Sequence, residues 1–470
     1  MKPFNDENAL ETVRPDWVAD AVFYQIFPDR FSRSSGYLES SGLTTWGDPP
    51  TRENFFGGDL AGIQHKLPYL ADLGITALYL TPIFKAGTNH RYDAHDYLEI
   101  DPMLGDLHSL RSLVAAAHAL NIRVVLDGVF NHCGDGFWAF QDLIKYGESS
   151  VYRDWFLPRS FPIEQNSPNY QTCGGAAYLP KLNTDNQDVR DYLIGVATYW
   201  IREADIDGWR LDVPWKVSHD FWEVFRDAVK TLKPDAYLVG EIWRNAMPWL
   251  DVFDGTMNYR LRDVHLDYCV RDHMDAEDAA FETEGLVAAF APALGSQLNL
   301  LGSHDTARLL TMCLGDEARA RLALTAMLTS PGAPMLYYGD EIGLEGGNDP
   351  DCRRCMPWDE SQWKPAIVET VRALIEIRAG HPALRRGNWE RLLVFNGVLA
   401  FRRRFEDDDV IVIVNPRDAQ SNLRIGIASS LADCWKDLLT GAVYPVVDAA
   451  ISIDRLSEKS AMILAPHASV

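Results

Sequence analysis

Two residues of opposite charge, Arg210 and Asp212, lie in an apolar run that covers residues 208–213 and ends at Pro214. On a β-strand, a spacing of two directs both side chains to the same face. A guanidinium beside a carboxylate favours the ionised form and lowers the pKa of the acid. The pair therefore predicts either a nucleophile or electrostatic stabiliser at Asp212, or a structural ion pair at a strand end. Other residues must decide between these two readings.

Polar residues also follow other apolar runs of the chain. They are Asp127, Asn131 and His132 after one run, Glu241 after a second, and Ser303, His304 and Asp305 after a third. In a parallel barrel the carboxyl ends of the strands meet at one face, where barrel enzymes build their sites. The three acids Asp212, Glu241 and Asp305 would then converge on one pocket, which favours catalysis over structural pairing.

Glu241 stands in an apolar frame, with Val239 before it and Ile242 and Trp243 after it. Burial in such a frame raises the pKa of a carboxyl group, as a general acid working near neutral pH requires. Two carboxylates with opposed pKa shifts are the apparatus of glycoside hydrolysis. A separation of about 5–5.5 Å between Asp212 and Glu241 would predict retention of configuration through a covalent glycosyl-enzyme intermediate.

Flat aromatic rings can stack on the apolar faces of pyranose sugars, and four aromatic residues lie near the ends of predicted strands. They are Tyr92, Trp138, Trp215 and Trp243. Each of them alone is more typical of a core or rim position. The neighbours of Tyr92 and Trp243 single these two out as candidate substrate-binding residues.

Eight short apolar runs alternate with helical patterns over most of the chain. They cover residues 21–27, 77–84, 123–130, 208–213, 236–243, 255–260, 297–304 and 334–341. Nearly continuous apolar strands joined by helices predict a parallel α/β fold, the closed (β/α)8 TIM barrel. An open doubly wound sheet is the alternative, but no GxGxxG motif follows the first run.

Two segments break this alternation. Residues 133–186 are rich in Gly, Pro, Asn, Ser and aromatic residues, and they predict a B subdomain inserted after the third strand. The β-rich runs 392–405 and 410–415 predict a C-terminal all-β sandwich. The predicted domains are a catalytic barrel of residues 1–132 and 187–384, the B subdomain, and a C-terminal domain of residues 385–470.

The composition is that of a soluble globular protein, with 47% hydrophobic and 24% charged residues. A net charge of −23 argues against nucleic acid or an anionic membrane as a partner. No stretch is apolar enough to span a bilayer, and residues 1–13 lack the apolar core of a signal peptide. Seven cysteines without framework spacing fit reduced thiols in a cytoplasmic protein. The CxxC of Cys352 and Cys355 has no partner motif that would favour zinc or redox chemistry.

Together these motifs resemble those of glycoside hydrolase family 13, the α-amylase family, from about residue 17 to the C-terminus. The four matching stretches are residues 127–132 (Asp-Gly-Val-Phe-Asn-His), 208–213, Glu241 with its flanks, and 303–305. The resemblance implies a nucleophile at Asp212, an acid/base at Glu241, and a third acid at Asp305 that binds sugar hydroxyls and favours a distorted ring. It also implies a set of residues that hold the sugar at the cleavage point: Arg210, His132, His304 and, stacking beneath the ring, Tyr92.

Three further stretches resemble the group of neopullulanases, cyclomaltodextrinases and maltogenic amylases. They are residues 89–93 (Asn-His-Arg-Tyr-Asp), 179–183 (Leu-Pro-Lys-Leu-Asn) and 346–354 (Gly-Gly-Asn-Asp-Pro-Asp-Cys-Arg-Arg). The resemblance implies that Asp349 and Arg353 contact the next sugar outward. It also implies cleavage of α-1,4 links in cyclodextrins, maltooligosaccharides, pullulan or starch, often with transfer of glycosyl groups. The alternatives are another family activity, such as an α-glucosidase or a trehalose- or sucrose-active enzyme, and a glycan-binding barrel without catalysis.

Three features depart from that group. Its members carry an N-terminal β domain that builds a dimer, whereas here the barrel begins almost at once, which predicts a monomer or a different dimer. Pro214, Trp215 and Lys216 stand in place of Ala-Asn-Glu, and a lysine instead of an acid on the leaving-group side predicts altered transglycosylation. Residues 32–36 lack the Asp and Asn oxygens that often bind calcium there, and Asp59 offers few ligands to a cation that needs six to eight. We therefore expect no metal site and no required cofactor.

Overall fold

The computed structural model of the protein describes residues 14–34, 42–427 and 432–467. Two predictions fall partly or wholly outside these ranges: the absence of a signal peptide in residues 1–13, and the last two residues of the loop 32–36. Within the described ranges, no helix combines the length and the apolar character that are needed to cross a membrane.

Eight parallel strands form the barrel that the sequence predicts. In the described ranges, the first ten strands are β1 Phe23–Ile26, β2 Ala77–Leu80, β3 Phe84–Ala86, β4 Ala94–Ile100, β5 Arg123–Gly128, β6 Gly208–Leu211, β7 Tyr237–Gly240, β8 Gly255–Thr256, β9 Leu298–Leu300 and β10 Ala333–Tyr337. All but β3 and β4 pair in parallel, in the order β8-β7-β6-β5-β2-β1-β10-β9. A parallel bridge between Met257 and Leu298 joins the two ends of this sheet.

Helices cover the outside of the barrel and leave the strands buried on both faces, as parallel sheets require. The longer ones are Leu107–Ala119, Gln187–Ala204, His219–Leu232, Tyr259–Cys269, Ala276–Ala289, Glu317–Thr329 and Pro365–Gly380. Side-chain caps begin several of them: Asp106 accepts a hydrogen bond from the Ser109 amide, and Asn186 accepts one from the Val189 amide. These caps satisfy amides that have no partner inside the helix.

Three local elements differ from the predicted ones. The helix predicted after Asp59 is divided at Lys66 into Leu60–His65 and Leu67–Leu73, with a proline at the start of the second part. The sixth barrel strand has only two residues, because the chain turns into a helix capped by Asn258. The antiparallel hairpin of β3 and β4 was not predicted.

The segment 133–186 contains one α-helix, Trp138–Tyr146, and several short turns. An antiparallel bridge joins Lys181 to His132, and the Leu182 amide donates to the Asn131 carbonyl. Trp138 packs edge-on against Trp155 inside this segment. These contacts fix the segment against the carboxyl end of β5.

The C-terminal region is an antiparallel all-β domain, as predicted. Its strands are β11 Asn388–Phe395, β12 Val398–Phe405, β13 Asp408–Asn415, β14 Gln420–Gly426, β15 Cys434–Asp437, β16 Val443–Val447, β17 Ala450–Leu456 and β18 Ser460–His467. The run predicted over residues 392–405 is two strands, because Asn396 and Gly397 both adopt positive φ and form a turn. Side chains of β12 and β13 share one core with those of β14 and β17, so the sheet bends over on itself.

Candidate active site

The barrel strands deliver the predicted acids to one face. Arg210 lies within β6, and Asp212 is the residue immediately after the end of this strand. The Asp212 amide still bonds to the Gly128 carbonyl, and the Glu241 amide bonds to the Leu211 carbonyl. Because the hydrogen-bond ladder continues to these residues, their backbones are fixed at the carboxyl ends of neighbouring strands.

Arg210 is the centre of a buried charge cluster. Its Nη1 atom lies 3.1 Å from both carboxylate oxygens of Asp127 and 2.9 Å from Oδ1 of Asp212. Its Nη2 atom lies 3.0 Å from Oε2 of Glu241. One guanidinium therefore contacts three carboxylates that come from three adjacent strands.

Burial and mutual repulsion control the protonation of these acids. Burial raises the pKa of Asp212 well above its usual value, and the charges of Glu241 and Asp127 act in the same direction against Arg210. Burial also raises the pKa of Asp127. The prediction that Arg210 keeps the pKa of Asp212 low is therefore wrong. A single positive charge cannot offset both the loss of hydration and two neighbouring negative charges.

Glu241 is surrounded by hydrogen-bond donors rather than by the apolar frame that the sequence suggests. The Trp243 indole Nε1 donates to Oε1 at 2.8 Å, and the Val213 amide donates to Oε2 at 3.0 Å. Val213 adopts a φ of 34°, which is strained for a β-branched residue. Backbone strain of this kind collects at functional sites, and here it aims an amide at a carboxylate.

Tyr92 and His304 form a second part of the site. The Tyr92 hydroxyl donates to Oδ2 of Asp127 at 2.9 Å and lies 2.6 Å from Nε2 of His304. The two rings are nearly parallel, with centroids 5.4 Å apart. Gln25 contacts the other ring nitrogen of His304. Burial lowers the pKa of His304 well below its usual value, so the imidazole is neutral and can exchange hydrogen bonds.

His132 is buried beside the same cluster. Its Nδ1 atom lies 3.2 Å from the Asn131 side-chain amide, whereas its Nε2 atom is buried without a partner. Burial lowers the pKa of His132 to about 4, so the ring is neutral at pH 7. A buried polar atom without a partner is costly unless a ligand supplies one.

Asp305, Arg353 and Asp349 form an outer chain of charges. Nη2 of Arg353 donates to Oδ1 of Asp305 at 3.4 Å, and its Nη1 lies 2.9 Å from Oδ1 of Asp349. The Arg353 Nε atom also donates to the His304 carbonyl at 2.9 Å. Asp305 is one-third exposed, with 32% of its side-chain surface open. With Asp127 between Arg210 and Tyr92, these contacts connect nine of the ten predicted site residues. The tenth, His132, lies on the turn that follows β5.

Asp127, Tyr79 and Gln25 belong to the cluster but were not among the predicted catalytic and substrate-binding residues, although the sequence places Asp127 with the polar residues at the strand ends. Asp127 binds Arg210 and accepts hydrogen bonds from Tyr92 and from Tyr79, the latter at 2.6 Å. Gln25 holds the His304 ring. Both Asp127 and Gln25 are single polar residues inside otherwise apolar strands. That pattern could have revealed them, because a polar side chain facing the barrel interior needs partners there.

The cysteine and calcium predictions concern regions next to this site. The Cys352 thiol donates to the His304 carbonyl, and burial raises its pKa to about 11, which suits a structural thiol. Asp59 uses one oxygen to cap the Gly62 amide and the other to accept from Ser34. In the described parts of the chain, no three His, Cys, Asp or Glu side chains are grouped so that they could hold a metal ion.

Paired carboxylates at the carboxyl-end face of a parallel barrel are the arrangement found in barrel enzymes that hydrolyse glycosides. Comparison with known families narrows this class, because residues 25–366 match the model of the α-amylase catalytic domain. The chain belongs to the α-amylase family of glycoside hydrolases, as the sequence motifs imply.

Individual relatives fall within the group that the sequence resembles. The cyclomaltodextrinase of Geobacillus thermopakistaniensis is 49% identical over 91% of this chain and 74% of its own length. Neopullulanase 2 of Thermoactinomyces vulgaris is 44% identical over 91% of this chain and 74% of its own length. The cyclic α-maltosyl-(1→6)-maltose hydrolase of Arthrobacter globiformis, solved with cyclic α-maltosyl-(1→6)-maltose bound, superposes with a TM-score of 0.88 at 44% identity. That match covers 96% of this chain and 99% of the hydrolase.

Proposed function

We propose that the protein is a retaining α-glucan hydrolase that cleaves α-1,4-glucosidic bonds, with Asp212 as nucleophile and Glu241 as acid/base. The observation that carries this proposal is the contact of one buried guanidinium, Arg210, with both acids. It brings two carboxyl groups from neighbouring strands into contact with the same positive charge. Hydrolysis of α-glucans in general follows from the family.

The reaction runs in two displacements. In the first, Glu241 gives its proton to the glycosidic oxygen while an oxygen of Asp212 attacks the anomeric carbon, so the leaving sugar departs with a hydroxyl. In the second, Glu241 takes a proton from water, the water oxygen attacks the anomeric carbon, and the bond to Asp212 breaks. Transfer replaces that water with a sugar hydroxyl.

The charge cluster constrains the protonation of the proposed nucleophile. Asp127, Asp212 and Glu241 would carry three negative charges against the single charge of Arg210, and burial makes that state costly. Because burial and the neighbouring acids raise the pKa of Asp212, attack on the anomeric carbon requires that Asp212 be ionised when the substrate is bound.

The remaining predicted residues would hold the sugar. Tyr92 offers its ring, His132 and His304 offer neutral imidazole nitrogens, and Asp305 offers a carboxylate to hydroxyls at the cleavage point. Asp349 and Arg353 lie further out and would bind the next sugar. Trp243 would stack on the sugar of the leaving group.

The chemistry needs no cofactor, because side chains of this chain supply both the nucleophile and the proton donor. Within the described residues no disulfide joins any of the seven cysteines, which supports a reducing, cytoplasmic location.

One observation favours a second candidate substrate. Among the relatives described above, the hydrolase of cyclic α-maltosyl-(1→6)-maltose is matched over 99% of its chain. We therefore add this cyclic tetrasaccharide to the cyclodextrins, maltooligosaccharides, pullulan and starch proposed as substrates. Its ring contains α-1,4 links of the kind that the proposed reaction cleaves.

Product analysis on this panel of substrates tests the proposal. We expect release of short maltooligosaccharides, Asp212→Asn to lower kcat about 10⁴-fold or more, and Glu241→Gln to lower it about 10²–10⁴-fold. The matched control is Asp227→Asn, because Asp227 is an exposed acid on the outer helix His219–Leu232 and should leave kcat unchanged. Absence of activity on every α-glucan, or full activity of Asp212→Asn, would contradict the proposal.

A further inference from the structure

The turn that carries His304 and Asp305 is held at both of its ends by one buried carboxyl group, that of Asp340. At the end of the turn, Oδ1 of Asp340 accepts a hydrogen bond from Nη1 of Arg308 at 3.1 Å. At its start, a Cβ atom added to Gly302 would lie 2.7 Å from Oδ2 of Asp340. Asp340 therefore packs on Gly302 and bonds to Arg308, and the two site residues lie between these contacts in the chain.

Arg308 also connects this turn to the loop that follows β10. Its Nη1 atom donates to the Tyr338 carbonyl at 2.6 Å, and its backbone amide donates to the Gly346 carbonyl at 3.0 Å. The guanidinium carbon lies 4.3 Å from the ring centroid of Tyr337 and 4.7 Å from that of Tyr338. The whole residue is buried, with no exposed surface. A buried ion pair often gives no more stability than apolar residues of similar volume, so stability alone does not account for this one.

Asp305 depends on the turn for its position, because the contacts of its own side chain are long. Its Oδ1 atom lies 3.4 Å from Nη2 of Arg353, and its Oδ2 atom lies 3.3 Å from Nε2 of His304. Both distances exceed the usual range of about 2.7–3.2 Å for a hydrogen bond from nitrogen. The backbone of the turn must therefore set where the carboxylate lies. Arg353 holds the middle of this backbone through the His304 carbonyl, whereas the ends depend on Arg308 and Asp340.

We propose that Arg308 and Asp340 are positioning residues, which fix the turn so that the carboxylate of Asp305 meets the sugar ring in the transition state. The inference rests on the proposed function, in which Asp305 binds hydroxyls at the cleavage point. Arg308 and Asp340 act through Asp305 and not on the substrate itself. A displacement of Asp305 by about 1 Å should lower kcat strongly. It should change KM little, because an interaction made chiefly in the transition state contributes little to substrate binding.

Arg308→Lys tests this assignment. Lysine keeps the positive charge, but its chain ends one atom short of Nη1 and it has no flat guanidinium to lie on the two tyrosine rings. We expect kcat for α-maltosyl fluoride to fall about tenfold to a hundredfold, with KM changed less than about twofold. In an Asp305→Asn background the same change should lower kcat less than about twofold, because the residue through which Arg308 acts is already disabled. Each variant is assayed below its own unfolding transition, which calorimetry measures.

Two further variants keep the test decisive if Arg308→Lys fails to fold. Gly302→Ala leaves the ion pair in place and pushes a methyl group against Oδ2 of Asp340, so it should lower kcat and lose this effect in the Asp305→Asn background. Asp340→Asn keeps the size of the side chain and an oxygen for Arg308, and kcat should stay within about threefold of the wild type. Burial raises the pKa of Asp340 to about 7, against the charge of Arg308, so a neutral side chain is close to a state that the acid itself adopts.

The matched control is Arg402→Lys. Arg402 is a buried arginine of β12 in the C-terminal domain, where it pairs with Asp409. The change should lower the unfolding temperature but leave kcat unchanged in the wild-type and Asp305→Asn backgrounds. A loss of kcat in this control equal to that of Arg308→Lys would show that kcat reports on general stability, and it would overturn the proposal.

Two other results would also overturn it. Equal losses of kcat from Arg308→Lys, or from Gly302→Ala, with and without Asp305→Asn would show that these residues support the fold independently of Asp305. An unchanged kcat in Asp305→Asn would leave no group for them to position. In each case the roles of Asp212 and Glu241 would stand, because they are tested by their own variants. Failure of the wild-type protein to hydrolyse α-maltosyl fluoride would overturn the proposed function as well.

Discussion

At the scale of single residues, Arg210 contacts more acidic groups than its single positive charge can neutralise. Asp127 and Asp212 both bind its Nη1 atom, and Glu241 lies against Nη2. Arg210 keeps its own proton, because although burial acts to lower its pKa, Asp127 and Glu241 raise the pKa well above its usual value. Every change of protonation in the cluster therefore has to occur on a carboxyl group.

The raised pKa of Asp212 predicts the acid side of the pH profile. The proposed nucleophile works only when ionised, and its protonated fraction grows as the pH falls through a pKa raised by burial. We therefore expect kcat/KM for α-maltosyl fluoride to decline on the acid side at a pH above about 4, the usual value for an aspartic acid. A profile measured from about pH 3 to about pH 8 checks this. An acid limb at or below about pH 4 would contradict the role of burial.

Lys216 provides a second prediction at this scale. Its side chain lies against the Trp215 ring, whereas its backbone carbonyl accepts from Lys181 at 2.7 Å. Lys216→Glu changes the side chain without removing that backbone contact, and it replaces a hydrogen-bond donor with an acceptor near an incoming sugar. We expect the ratio of transfer to hydrolysis products to change several-fold, as gain or loss of one hydrogen bond of about 1 kcal/mol predicts.

Product ratios from maltotriose at high concentration measure this effect. Lys145→Glu is the matched charge reversal, because Lys145 lies on a different helix and places its ammonium over the ring of Tyr146. Identical ratios in the wild type and Lys216→Glu would remove Lys216 from acceptor handling.

The residues of the site were predictable to the extent that they end apolar strands. Asp212, Glu241 and Asp305 were found in this way, and so was the place of Asp127. The contact between Asp127 and Arg210 was not predicted, because it depends on the register of β5 and β6, in which these two residues are direct partners. The predicted direction of the pKa shift of Asp212 was wrong for a related reason. A sequence shows neither the burial of a carboxyl group nor how many acids contact one guanidinium.

At the scale of elements, close approach of neighbouring strands sets the positions of the acids. Gly208 begins β6 opposite Tyr237 of β7. A Cβ atom at Gly208 would lie 2.1 Å from the Tyr237 carbonyl oxygen, which is backbone and cannot turn away. The start of β6 therefore requires glycine, and the same strand carries Arg210 toward Asp212.

Gly208→Ala should consequently damage both stability and activity. We expect it to lower the free energy of unfolding by about 1–3 kcal/mol, the usual cost of forcing extra atoms into a packed site. We also expect kcat to fall, since β6 must move away from β7 and shift the nucleophile. Thermal unfolding and kcat on maltotriose measure the two effects.

Gly195→Ala is the matched control for this change. Gly195 is exposed on helix Gln187–Ala204, and a Cβ atom there would meet nothing within 4 Å. Alanine should stabilise the helix by about 0.5–1 kcal/mol and leave kcat unchanged. Unaltered stability of Gly208→Ala would show that β6 and β7 can separate freely.

Element types were predictable from periodicity, whereas their ends were not. The two-residue β8 ends where the Asn258 side chain caps a helix. The hairpin of β3 and β4 follows directly after a barrel strand, and the continuous apolar pattern there hides the bend between them. Both misses arise because local capping and turning override the hydrophobic pattern.

At the scale of the whole molecule, the C-terminal domain is packed on the barrel through one face of its sheet. Leu399, Phe401 and Val412 belong to the same core as the barrel helices, whereas Ile411 and Ile413 point into the core of the domain itself. The hydroxyl of Tyr268, from a barrel helix, lies 2.9 Å from the Gly397 carbonyl oxygen and 3.0 Å from the Val414 carbonyl oxygen, which are neighbours at one end of this face. The alternation of side chains along these strands predicted that the sheet has two faces. It could not show that the barrel helices cover one of them.

This shared face predicts that the barrel and the C-terminal domain unfold together. Ile411 is fully buried in the core of the domain and outside the core of the barrel, so Ile411→Ala weakens the domain directly by about 2–5 kcal/mol. If the domain unfolds, the barrel loses the cover of its apolar helices, and the catalytic face should fail at the same temperature. We expect the calorimetric transition and the temperature of half-maximal residual activity to fall by the same amount.

The control is Val443→Ala, at a half-exposed strand position. It should change the free energy of unfolding by no more than about 0.5 kcal/mol and leave both temperatures nearly unchanged. Two separate transitions, with activity persisting through the first, would show instead that the barrel is stable without its neighbour.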